Sequence, residues 1–322
     1  MKNLINLTLS AAVILSLPLL SSAEGKSIYG ADNRVDYYEA SAGMKTISDS
    51  VVSLWKSYKV TESGDKAVLT TQILGDARNL CPAEKFRDQK FGAFCSGSLV
   101  GEDLVMTAGH CIKDDAGCAD ARMVFGFKVA KAGELGASTV AKSEVYKCAS
   151  IVKRYLDPAM GADYALIKLD RKVTGHKPLP INRSGSIAKD TKIYVIGHPS
   201  GLPLKVAADS KVRDASKKGY FIADLDTFGG NSGSAVFNLA TNKIEGILVR
   251  GDDDYKPTPA GCNTVATFEQ TGGRGEDVTK ISELSSFIPK LPGEKMKAEY
   301  QPMTVAPADA TRVAKPAVTN PF

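Results

Sequence analysis

Between residues 50 and 280 the chain is a succession of short apolar runs separated by turn residues, with almost no helical pattern between them. "SVVSLW" (50–55), "AFCSGSLV" (93–100), "DLVMTAG" (103–109), "ARMVFGFKV" (121–129) and "YALIKLD" (164–170) are rich in Val, Leu, Phe and Ile. "TKIYVIG" (191–197), "GYFIADLD" (219–226), "GSAVFN" (233–238) and "KIEGILVR" (243–250) continue the series. Runs of this kind, bounded by Gly, Asp, Asn and Ser, read as strands. Closely spaced strands without regular intervening helices argue for an antiparallel sandwich or barrel. The polar stretch from Thr174 to Ser186 is the candidate link between two halves, 50–175 and 176–291. In "EDVTKISELSSFI" (276–288), Val278, Ile281, Leu284 and Ile288 share one helical face, which predicts a C-terminal helix.

The chain begins "MKNLINLTLSAAVILSLPLLSSAEGK". Lys2, the apolar run Leu4 to Leu20 and the small residues Ser21-Ser22-Ala23 read as a signal peptide over 1–23. Asn6, Thr8 and Pro18 break the run and argue against a permanent anchor, so no stable membrane insertion is expected once the signal is cleaved. Residues 24–49 form a polar N-terminal segment, a candidate short propeptide. Residues 292–322, rich in Pro, Ala, Lys and Thr without a periodic apolar face, read as a disordered tail. The net charge of +5 is spread along the chain without a basic stripe, which argues against nucleic-acid binding.

Six cysteines follow the signal: Cys81, Cys95, Cys111, Cys118, Cys148 and Cys262. An even count in an exported chain favours disulfides, and without a CxxC or HExxH motif no metal site is expected. A bridge between Cys95 and Cys111 would pin the loop that carries His110; the pairing of the other four stays open.

"FGGNSGSAVF" (228–237) sets one serine among glycines and runs into an apolar strand. It reads either as a tight turn or as a nucleophile with neighbouring amides left to bind an oxyanion. A serine hydroxyl needs a base within hydrogen-bond reach, and the chain has three histidines, His110, His176 and His198. His110 lies in "MTAGHCI", where a strand runs into small residues and a cysteine. His176, beside Lys177, reads as surface, and His198 in "GHPSGLP" as a turn residue near the cleft.

"CSGSLVGEDLVMTAGHC" resembles the segment around the catalytic histidine of chymotrypsin-like serine proteases. "GADYALIKL" resembles their aspartate segment, and "GGNSGSAVF" with "EGILVRG" their serine loop and substrate strand. The resemblance covers roughly residues 50–290. It implies an all-β fold of two packed antiparallel six-stranded barrels, which the C-terminal helix would follow. It also implies a catalytic triad of His110, Asp163 and Ser232, with the amides of Gly230 and Ser232 as oxyanion hole. Asp157 and Asp170 are the competing acids; Asp170 precedes Arg171 at a strand end and reads as solvated or paired.

Asn231 stands where many animal members have an aspartate that captures a new N-terminal ammonium, so activation by that switch is not expected. Asn231 and the Ser-Ala after Gly233 point towards the bacterial glutamyl-endopeptidase branch. Val249-Arg250-Gly251 replaces the family's Ser-Trp-Gly, so Asp163 must find its other partners in backbone amides. Asp226, Thr227, Val249, Arg250 and Gly251 are the expected substrate-binding residues. Asp226, six before Ser232, implies cleavage after Lys or Arg; Thr227 and Arg250 keep cleavage after Glu in view. The Lys26–Ser27 bond would then be open to self-trimming. The acidic run Asp252-Asp253-Asp254 reads as a solvated loop, with calcium as the other use.

The expectation is therefore a secreted serine endopeptidase, extracellular or periplasmic, acting as a monomer on protein or peptide substrates without a cofactor. The alternative is an inactive secreted homologue that binds a partner.

Overall fold

The computed structural model describes residues 27–292; the signal expected over 1–23 and the tail beyond Pro292 lie outside the described residues, as does Lys26. The described chain opens on two short strands, β1 (Ile28–Tyr29) and β2 (Arg34–Asp36), and a helix, α1 (Ala42–Ser48). The Ser41 hydroxyl caps α1 by accepting the Met44 amide.

The first barrel comprises β3 (Val51–Lys56), β4 (Cys95–Gly101), β5 (Leu104–Thr107), β6 (Ala121–Val124), β7 (Val145–Leu156) and β8 (Asp163–Leu169). Their order is β6-β7-β8-β5-β4-β3, and β3 returns to β6, with Leu54 opposite Met123, to close the sheet. Residues 170–191 carry the chain to the second barrel. It comprises β9 (Lys192–Gly197), β10 (Lys205–Asp214), β11 (Tyr220–Ala223), β12 (Ala235–Asn238), β13 (Ile244–Arg250) and β14 (Glu276–Lys280). Here the order is β9-β12-β13-β14-β11-β10, and β10 closes on β9. All these pairings are antiparallel, giving the two six-stranded barrels that the resemblance implies.

Period-2 alternation sends apolar side chains inward. Val52, Leu54, Leu99, Val105 and Met123 are fully buried in the first half. Ile193, Val212, Phe221, Val236, Leu248 and Val278 pack together in the second. Each such side chain contributes about 1.5–3 kcal/mol on leaving water.

The C-terminal helix is not formed. Glu276–Lys280 is β14, paired with both β11 and β13, and two 3-10 turns, Ile281–Glu283 and Ser285–Phe287, follow it. The helical spacing of Val278, Ile281, Leu284 and Ile288 is real, and all four are buried. Barrel closure, however, needs a sixth strand between β11 and β13, and those ladder bonds override local periodicity. Strands β7 and β10 escaped the sequence reading because charged and polar residues interrupt their apolar pattern: "VYKCASIVKRYL" and "KVAADSKVRD".

The N-terminal segment is built into the second barrel. β1 pairs in parallel with Thr267–Phe268, and β2 adds to the edge of β10. Arg34, 2% exposed, is held by both carboxylate oxygens of Asp32, and its guanidinium lies 4.1 Å from the Phe228 ring centre.

Three disulfides close, Cys81–Cys262, Cys95–Cys111 and Cys118–Cys148. The first joins positions 181 residues apart and ties the two halves together, a closure that contributes on the order of 5 kcal/mol in the loop-entropy model. Among the described residues, no helix is long and apolar enough to cross a membrane.

Candidate active site

Strand β5 ends at Thr107, and a turn in which the Cys111 amide bonds the Ala108 carbonyl presents His110. The neighbouring strand β8 opens on Asp163, which is 2% exposed. The two meet twice: His110 Nδ1 lies 2.6 Å from Asp163 Oδ2, and the His110 amide donates to Asp163 Oδ1 at 3.1 Å. With the carboxylate on Nδ1, the proton of a neutral ring sits there and Nε2 keeps its lone pair. Asp163 thus takes a backbone amide as its other partner, in the absence of a serine at position 249.

Two residues that sequence reasoning missed hold this pair. Thr279, on β14, accepts the Asp163 amide and donates to the Asp163 carbonyl through one hydroxyl, both at 2.9 Å. Arg154 Nε donates to the carbonyls of Gly109 and Ile112, on either side of His110. Neither carries a local motif; the partners of Thr279 lie on another strand and those of Arg154 in the His110 turn.

Ser232 follows a turn in which the Asn231 amide bonds the Phe228 carbonyl. The Ser96 amide of β4 donates to the Ser232 carbonyl at 2.9 Å, and next to Ser96 is Cys95, bridged to Cys111. One strand therefore anchors both the serine and the histidine. The Ser232 hydroxyl donates to the Val249 carbonyl at 3.4 Å. His110, Ser232 and Gly230 line one cleft of about 400 Å³, together with Phe94, Lys56 and the Cys95–Cys111 bridge. Gly230 has φ +93°, and a Cβ there would fall 2.7 Å from the His198 carbonyl. Only glycine fits.

The expected specificity residues are arranged differently from the sequence reading. Asp226 does not present a free carboxylate to a substrate cation. Its oxygens accept the Tyr29 and Asn33 amides, each at 2.8 Å, under the N-terminal segment. Burial pushes this carboxyl up to about 7, although the two amide bonds pull the other way. Arg250 neither neutralises Asp226 nor faces a substrate acid, because Asp277 takes its Nε at 2.9 Å and the Met160 carbonyl takes its Nη2. The reason is topological: Asp277 lies opposite Arg250 on the adjacent strand. Thr227 donates to Glu276 Oε2 at 2.8 Å. Glu276, absent from the sequence reading, also accepts the Ser27 amide at 3.4 Å. Gly251 makes room for it, since a Cβ there would lie 2.2 Å from the Glu276 oxygens. Asn231, 2% exposed, accepts the Ser234 hydroxyl, while the N-terminal segment goes to Asp226 and Glu276.

The remaining candidates are structural. His176 is not a free surface group: it stacks on Phe125 at 4.1 Å and lies 2.7 Å from Glu144. His198 is buried, with Nδ1 on the Leu202 carbonyl, and burial pushes its pKa down to about 3. Asp254 is not a purely solvated acid, because both its oxygens accept the Gly229 amide. Cys95, His110 and Cys111 bring ligand-type atoms within 4.8 Å of one another, but both sulfurs are tied up in the disulfide.

Residues 95–247 match the family model of the trypsin-like peptidase domain. That span includes His110, Asp163 and Ser232. Among solved structures, the chain resembles the Vibrio cholerae VesB protease, at 17% identity and a TM-score of 0.48, over 80% of this chain. It spans 66% of that protease, just under two thirds. No curated protein matches it in sequence.

Proposed function

We propose that this protein is a secreted serine endopeptidase that cuts peptide bonds through an acyl-enzyme. The observation that carries the reading is the His110–Asp163 pair, bonded at 2.6 Å, opening on the cleft that Ser232 also lines. Ser232 Oγ attacks the scissile carbonyl carbon and its proton passes to His110 Nε2. The C–N bond then breaks and that proton goes to the leaving amine. Water attacks the ester in turn, giving a proton to His110 and returning one to Ser232. Asp163 holds the ring orientation and stabilises the imidazolium. The Gly230 and Ser232 amides stabilise the tetrahedral oxyanion.

We read the cut as following Lys or Arg. The support is the buried carboxylate of Glu276, flanked by Thr227 and Gly251, while Arg250, the cation that would favour an acidic side chain, is drawn off to Asp277. The likeness of Asn231 and Thr227 to glutamyl endopeptidases favours Glu instead. Export is supported by the signal-like leader and by three disulfides, which persist in oxidising compartments. The folded protein retains residues 27–49, since removing them would strip Asp226 of both amide partners.

A fluorophosphonate should label Ser232 in the wild type and fail on Ser232→Ala; an unlabelled, folded wild type refutes the reading. A panel of peptides varied only at the residue before the cut should be fastest after Lys or Arg. Fastest turnover after Glu would assign the glutamyl branch.

A further inference from the structure

The oxyanion turn carries two consecutive glycines, Gly229 and Gly230, and this creates a problem of its own. Gly230 is sterically required, yet a Gly-Gly peptide unit has little to stop it from flipping. A flip would aim the Gly229 carbonyl, not the Gly230 N–H, at the developing oxyanion. The structure holds this turn from outside. The Gly229 amide donates to both oxygens of Asp254, at 3.0 and 2.9 Å. The Gly229 carbonyl accepts the Ser200 amide at 2.5 Å, and the Gly230 carbonyl accepts the Ser96 hydroxyl at 2.8 Å. In a planar trans peptide C=O and N–H point in opposite directions, so holding the Gly229 carbonyl on Ser200 turns the Gly230 N–H away from Ser200. Among the described residues, no acceptor lies on that N–H.

Ser200 is itself unusual, a non-glycine residue at φ 53°, ψ 16°. Its hydroxyl is bonded to the Tyr255 hydroxyl at 2.6 Å, and the Tyr255 ring packs at 5.3 Å on Phe228, the residue before the two glycines. Asp254 and Tyr255 are adjacent in the chain. One reaches the Gly229 N–H directly, and the other steadies the residue that holds the Gly229 carbonyl.

We propose that Asp254 and Tyr255 form a clamp that sets the Gly229–Gly230 peptide with the Gly230 N–H towards the reacting carbonyl. Both are positioning residues, and neither lines the cleft. The inference rests on the peptidase reading above, and it gives a role to Asp254, the last residue of the acidic run.

The test uses the full-length protein with a peptide amide substrate and a peptide boronic acid, which forms a tetrahedral adduct on the serine. Asp254→Ala should lower kcat about 100-fold with KM nearly unchanged, at the low end of the loss on removing an oxyanion donor outright. It should weaken the boronic acid by a similar factor. Asp254→Asn should recover most of the rate, because its amide oxygen can still accept the Gly229 N–H. If Asp254→Ala does not fold, Tyr255→Phe, which removes one hydroxyl, should still lower kcat about 10-fold. In an active wild type, an unchanged kcat in the folded variants, or a loss confined to KM, overturns the clamp alone. A wild type inert towards substrate and boronic acid overturns the clamp and the peptidase reading together.

Discussion

The two barrels contribute to the cleft by different means. The first supplies His110 and Asp163 from the paired strands β5 and β8, where Thr107 lies opposite Ala165 and one disulfide anchors the turn. The second supplies Ser232 from a glycine turn whose surroundings are recruited from afar: Ser27, Tyr29 and Asn33, then Ser200, Asp254 and Glu276. His110 and Asp163 thus stand at neighbouring strands of one sheet, braced from the second barrel through Thr279, whereas the serine's surroundings come from many parts of the chain. Disturbing the first side should abolish chemistry and leave the fold intact. Disturbing the second should alter stability and its pH dependence.

The largest effect should come from the first side. His110→Ala removes the proposed base and should lower kcat about 10⁴- to 10⁶-fold, as removal of one member of a coupled triad does. The ring is partly exposed, so the unfolding midpoint should move little. Parallel measurements of turnover and thermal unfolding decide this. A variant retaining a tenth of wild-type activity would show that His110 is not the base.

This division also explains what could be read from sequence. The motifs around His110, Asp163 and Ser232 are local: a strand and small residues before His110, small residues before Asp163 at the start of a strand, and glycines around Ser232 ahead of a strand. His110 and Ser232 line one cleft, and Asp163 lies 2.6 Å from the His110 ring. Asp226 and Arg250 were misread because nothing in their own segments reveals that Tyr29, Asn33 and Asp277 will satisfy them. Glu276 was hidden for a related reason. "EDVTKISELSSFI" carries a helical period, so its first residue reads as the start of a helix and not as the first residue of a barrel strand bonded to Thr227. Strand β10 was missed because its outward positions are polar, although its inward Val206 and Val212 are buried.

Removing the Cys95–Cys111 bridge probes the joint between the two sides, since β4 anchors both turns. Replacing both cysteines by Ala should cost about 3 kcal/mol of stability by the loop-entropy estimate. It should also lower kcat, because the His110 turn loses its tether to the strand that bonds Ser232. Denaturant unfolding gives the first quantity and steady-state kinetics the second. Loss of stability with unchanged kcat would show that Arg154 and Asp163 hold the turn without the bridge.

The smallest effect belongs to the second side and is read through pH. Asp226 is buried beneath the N-terminal segment, and its carboxyl is raised from an ordinary value near 3.8 to about 7. Below the ordinary value both folded and unfolded chains hold the proton, and the group has no pH-dependent effect. Between the two values the folded chain keeps a proton that the unfolded chain has released, so stability falls as pH rises. The loss is complete once pH passes the folded-state value. From about pH 5 to pH 7 the wild type should lose about 2 kcal/mol relative to Asp226→Asn, which cannot ionise. Denaturant midpoints for both proteins across that range test the sign. A constant difference would mean that the Tyr29 and Asn33 amides keep the carboxylate charged in the folded chain despite its burial.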